Sequence, residues 1–188
     1  MVGFVKQSSV RKFAAMATVA AVLATSALPA FAVTQVTVGA ASSGSLSITV
    51  TVPSLARITK LADIALGTWT GTGAMTGSDN SICVWSSTGG YSITATGSGA
   101  ANAFTLAGSG GNTVAYNVQW VQTGGASSGS AVTAGTALTG QATNATSTDC
   151  STGVASTAGV FVTIPEANIA GKPAGAYSGS LTLLVTPT

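Results

Sequence analysis

Apolar side chains recur at every second position along most of this chain, and that spacing suits only an extended backbone. Strand side chains alternate between two faces, whereas a helix repeats every 3.6 residues. Val114, Tyr116, Val118 and Trp120 alternate with Ala115, Asn117 and Gln119 in the cleanest amphipathic run. Tyr91, Ile93 and Ala95 alternate with Ser92, Thr94 and Thr96. Val160, Val162 and Ile164 share a face opposite Phe161, and Leu181, Leu183 and Val185 alternate with Ser180, Thr182 and Leu184. Residues 55–64, 82–85 and 104–106 are shorter or less regular strand candidates, and no stretch carries a helical period of useful length. Turn signals separate the runs: Gly71-Thr72-Gly73, Asp79-Asn80, Gly89-Gly90, Gly110-Gly111-Asn112, Gly124-Gly125 and Gly171-Lys172-Pro173. Residues 124–150 are the least patterned and are expected to form a long connection with one irregular edge strand. Short strands between such turns predict an all-β, two-sheet sandwich.

The first 32 residues have the pattern of an export signal. Lys6, Arg11 and Lys12 precede an alanine-rich apolar stretch, and Ala30-Phe31-Ala32 supplies the small residues of a cleavage site before Val33. Cleavage there leaves 156 of the 188 residues, enough for one domain with its own core. In that part Arg57, Lys60 and Lys172 oppose Asp63, Asp79, Asp149 and Glu166, a net charge of −1. So neutral a chain has no basic footprint for nucleic acid or anionic lipid. It also lacks the charges that usually discourage strand edges from associating.

Cys83 and Cys150 are the only cysteines, an even count in a chain bound for an oxidising compartment, and are expected to pair. A metal or redox role has little support, because there is no CxxC and no histidine to share a metal. Closing the intervening 67-residue separation would stabilise the fold by about 4 kcal/mol on the chain-entropy model.

Catalysis needs groups that titrate or coordinate, and few are present. Without histidine a serine nucleophile loses its commonest base, and the carboxylates are scattered singly, with no DxD or ExxE pair. No catalytic residue, metal ligand or cofactor is expected. Trp69, Trp85 and Trp120 could form a carbohydrate-stacking platform, but each is read first as a packing residue, since Trp120 lies on the apolar face of its run.

The most regular alternation near the predicted mature N-terminus is Ser45-Leu46-Ser47-Ile48-Thr49-Val50-Thr51-Val52, stopped by Pro53. Together with Leu55-Ala56-Arg57-Ile58 it resembles the N-terminal extension and first strand of alpha-type (colonisation-factor) fimbrial major subunits. The closing Ala174-Gly175-Ala176-Tyr177-Ser178-Gly179 and the alternating strand after it are similar to the ending of those subunits. That ending is shared by spore-coat-U-like and archaic chaperone–usher pilins. Ile82-Cys83-Val84, Tyr91-Ser92-Ile93-Thr94 and residues 114–120 fit the intervening order loosely, while the cysteine pair and the glycine-rich middle depart from the colonisation-factor pattern.

The resemblance implies an immunoglobulin-like sandwich that lacks one strand. A periplasmic chaperone fills the gap first, and the N-terminal extension of the next subunit replaces it after delivery to an outer-membrane usher. Residues 33–53 would be the extension and residues 54–188 the pilin-type domain. Leu46, Ile48, Val50 and Val52 would be the donor side chains, recurring about every 6.7 Å. Their burial would contribute on the order of 6–12 kcal/mol before ordering costs. Val36 and Val38 form a shorter alternating patch that is the alternative donor. Leu181, Leu183 and Val185 would form the acceptor-groove edge. The implied product is a homopolymer at the cell surface that supports adhesion to host or abiotic surfaces or biofilm formation. Rival readings are a monomeric secreted β-sandwich binding protein, an outer-membrane β-barrel, and a tip adhesin, which would need a second domain.

Overall fold

The computed structural model describes residues 38–188 apart from 124, 125 and 127. The expected export signal and Val36 lie outside the described residues. The chain divides into two compact units, Met1–Val50 and Thr51–Thr188. In the first, residues 46–50 belong to no strand, and Val38, Leu46, Ile48 and Val50 are exposed.

The second unit is all-β, with several antiparallel sheets in a sandwich-like arrangement. Its strands are β1 (Ala56–Thr59), β2 (Met75–Asp79), β3 (Cys83–Ser86), β4 (Gly90–Gly97), β5 (Thr105–Ala107), β6 (Thr113–Ala115), β7 (Asn117–Val121), β8 (Ser130–Val132), β9 (Ala137–Ala142), β10 (Gly159–Ile164) and β11 (Leu181–Pro187). One sheet has the order β2-β10-β7-β8 and another β11-β4-β9, while β1-β3 and β5-β6 form two-stranded pairs.

The alternating runs build the core. Val160 pairs with Trp120 and Val162 with Val118, so the inward rows of β10 and β7 coincide. Across from them Tyr91, Ile93 and Ala95 of β4 are fully buried, with Leu183 opposite Ala95 and Val185 opposite Ile93. Each large aliphatic side chain buried this way contributes about 1.5–3 kcal/mol. Trp120 joins the two sheets: its ring meets Tyr91 edge-on at 6.5 Å, and its Nε1 donates to Tyr91 Oη at 3.1 Å.

Replacing Tyr91 with Phe therefore leaves a buried indole N–H without an acceptor, and we expect a loss of about 1–3 kcal/mol in urea unfolding. Burial pushes the Tyr91 phenol up, against a smaller lowering by the Trp120 hydrogen bond. The folded state holds this proton where the unfolded chain has released it. Stability is thus full below the ordinary tyrosine pKa and declines as pH rises through the folded value. Tyr91→Phe should flatten part of that alkaline decline, with Tyr116, also pushed up by burial, supplying the rest.

Cys83 and Cys150 form a disulfide, with Cα atoms 5.9 Å apart. It ties the loop after β9 to β3, and Lys60 Nζ reinforces the attachment by donating to the carbonyls of Cys150 and Ala155 at 3.0 and 2.8 Å. On the same loop Thr157 Oγ1 accepts from Val84 N at 2.8 Å and donates to Val84 O at 2.9 Å. A side chain there takes the place of a further strand beside β3.

Several expectations are corrected. The candidate strand over residues 55–64 stops at Thr59, because Lys60 takes a left-handed backbone (φ 60°) that ends β1. The run through Trp120 divides into β6 and β7: Tyr116 N turns away to bond the Phe104 carbonyl, although its side chain stays buried. Residues 124–150 hold two edge strands, β8 and β9, one in each larger sheet. Among the described residues helical structure is confined to single turns, of which Glu166–Ile169 is α-helical.

Candidate functional site

Four strands of one sheet and three of another leave an open seam where their first edges run. β2 ends the four-stranded sheet and β11 ends the three-stranded one. Among the described residues no strand pairs with the free edge of either. Between these edges lies a groove of about 1050 Å³. Its floor is apolar: Val160, Val162 and Ile164 from β10, with Val114 of β6 and Tyr116 beside them. Leu181 and Leu183 form the wall on the β11 side, and Ile64, Leu66 and Trp69 line it from the stretch after β1.

The wall side chains are only half-buried, in contrast with the fully buried β4 row. These half-exposed aliphatic groups lie along two edges that, among the described residues, pair with no strand. Val185 shares the face of Leu181 and Leu183 but does not line the groove.

Local chemistry shapes both ends. Tyr177, in the Ala-Gly-Ala-Tyr-Ser-Gly segment, lies flat over Gly108, where a Cβ would stand 2.5 Å from the ring, and its hydroxyl donates to the Pro173 carbonyl at 2.9 Å. Ser178 pairs with Ala107, which seats the segment against β5. Asp79 is 6% exposed, yet its carboxylate accepts from Ala62 N at 2.8 Å and Ser81 N at 2.9 Å, so the buried group is satisfied.

Asp63, Asp79 and Lys172 are the charged residues of the lining, and among the described residues no group of three His, Cys, Asp or Glu side chains converges as metal ligands do. The groove presents apolar surface and free strand edges. An extended apolar segment satisfies both at once, through side chains in the groove and main-chain hydrogen bonds along an edge.

The sequence-derived residues fall in two places. Leu181 and Leu183 line the groove, while Leu46, Ile48, Val50 and Val52 are 74%, 88%, 85% and 80% exposed. No strand includes residues 46–55. Trp120 is buried in the core and Trp69 lines the groove, so only Trp85 of the three remains half-buried elsewhere. Ile64 stood at the end of the candidate strand over residues 55–64 with no role at a site, and Leu66 and Gly77 escaped the sequence reading. Their only signal was the alternation of Ile64 and Leu66, too short to stand out from noise. No protein-family model and no curated protein matches this chain.

Proposed function

We propose that this chain is a structural subunit of a surface fimbria, assembled by insertion of residues 45–52 of one copy into the groove of the next. The observation that carries this reading is the pairing of an uncovered apolar groove with an exposed apolar row of strand periodicity. Four large aliphatic side chains facing water are costly for a monomer and useful to a polymer. In this reading the domain is an immunoglobulin-like sandwich short of one strand, and the inserted segment supplies it. Because the donor and acceptor surfaces are different, repetition gives an open filament and no closed ring.

Assembly would need a temporary occupant of the groove during export, the role of a periplasmic chaperone, and an outer-membrane usher to exchange it for the next subunit. The paucity of charge and the abundance of Ser, Thr and Gly suit a durable extracellular shaft. Adhesion or biofilm support follows as the function of such a shaft, with no enzymatic step.

The purified exported chain should form a ladder of polymers that resists SDS at room temperature and collapses to monomer on boiling. A chain that stays monomeric, with residues 45–52 already protected from hydrogen exchange, would remove this reading.

A further inference from the structure

Residues 60–74 connect β1 to β2, residues 61–69 of them line the groove, and among the described residues the stretch makes no backbone-to-backbone hydrogen bond. Backbone polar groups are obligatory hydrogen-bonding groups, so a stretch this long without partners relies on water or awaits another chain. As far as Leu66 its side chains nonetheless alternate as in a strand, before Gly67 takes a left-handed backbone (φ 81°). Ile64 and Leu66 turn inward while Asp63, Ala65 and Gly67 are exposed.

Two features of β2 hold this stretch. Ile64 and Leu66 pack into the space left by Gly77, where a Cβ would lie 2.6 Å from Ile64 Cγ2 and 2.7 Å from Leu66 Cδ2. Asp79, two residues along the same inward row, fixes the amide of Ala62. Beyond these, among the described residues, the stretch has the Ser81 Oγ donation to the Lys60 carbonyl, the two Lys60 Nζ donations at its start, and the closure of Trp69 Nε1 onto Gly73 within its own loop.

We infer that Gly77 and Asp79 are positioning residues that set residues 61–69 as a preformed wall, ready to pair with an incoming strand. This rests on the fimbrial reading and adds to it. Acceptance of a neighbour is controlled from beneath the wall, independently of donation. Gly77 has no left-handed φ, and Val is well suited to a strand. Gly77→Val therefore displaces the wall and leaves β2 free to form.

The experiment uses the exported chain carrying Ile48→Asp, which retains its groove and loses a competent donor, with a synthetic peptide of residues 45–53 as probe. Amides 63–69 should exchange rapidly in the free chain and become protected with the peptide, together with amides on the free edge of β11. Adding Gly77→Val should weaken peptide binding about tenfold or more, with thermal unfolding still cooperative. A chain with Gly77→Val alone should still insert its own segment into Ile48→Asp grooves. Asp79→Asn, which keeps the shape and weakens the hydrogen bond, should reduce acceptance severalfold and leave donation intact. It decides the matter if the valine variant does not fold.

Protection of β11 without residues 63–69, or unchanged binding by both variants, overturns the wall. Failure of the unmodified groove to bind the peptide at all overturns the fimbrial reading beneath it.

Discussion

On the fimbrial reading proposed above, replacing Ile48 with Asp should abolish incorporation into fibres while leaving the folded domain and the proposed chaperone complex unchanged. Ile48 lies inside the exposed apolar row, flanked by Leu46 and Val50, and is 88% exposed in the single chain. The substitution therefore costs nothing in the monomer. In the assembled state it removes an aliphatic side chain worth about 1.5–3 kcal/mol. It also forces an unpaired carboxylate into an apolar groove, at several kcal/mol more. Together these weaken one junction by on the order of a thousandfold or more. The check is the SDS-resistant ladder on unboiled gels, with the variant present only as monomer and chaperone complex. Ladders of wild-type length from the variant would eliminate residues 45–52 as the inserted segment and direct attention to Val36 and Val38.

The second large effect is expected at the disulfide. Converting Cys83 and Cys150 to Ser should lower unfolding free energy by about 4 kcal/mol and the melting temperature by roughly 10 °C. More than chain entropy is involved. The bridge and the two Lys60 hydrogen bonds hold the same loop against the end of β1, where the groove-bordering stretch begins. Loosening that attachment should reduce fibre yield even at temperatures where the domain remains folded. Denaturation with and without reductant, set beside gel ladders at 25 °C, separates the two consequences. Unchanged stability on reduction would show that the loop is held without the bridge, by hydrogen bonds such as those of Lys60 and Thr157.

Much of the fold was legible because its centre is built from strands with one buried face. Buried positions alternate with half-buried ones along most of β4 and β10, and half-buried with exposed ones along β11, so the period shows directly in the residues. The period also survived the break at Tyr116, since Val114, Tyr116, Val118 and Trp120 all remain buried although the pairing partner changes. β2 was illegible for the opposite reason. Its inward positions are Met75, Gly77 and Asp79, so only one of the three is apolar. β8 and β9 were obscured because edge strands covered on one side tolerate Ala, Thr and Gly.

For the candidate site, alternation put Leu181 and Leu183 on one face of a strand and only the resemblance made that face a groove edge, while the opposite border of the groove was not legible. Its position depends on a missing side chain at Gly77 and a buried carboxylate at Asp79, neither of which leaves a periodic trace. The pairing of Cys83 with Cys150 followed from the cysteine count and the expectation of export alone. The left-handed backbone at Lys60, which ends β1, had no signature in composition or spacing.

The most direct measurement places a photo-crosslinking amino acid at position 48 and assembles fibres from an equal mixture of isotopically light and heavy chains. Mass spectrometry of the crosslinked peptides should join position 48 to residues of β11 or to residues 61–69, with light–heavy pairs as abundant as chance mixing allows. Crosslinks confined to light–light and heavy–heavy pairs, or directed to the outer faces of the sheets, would contradict insertion between subunits.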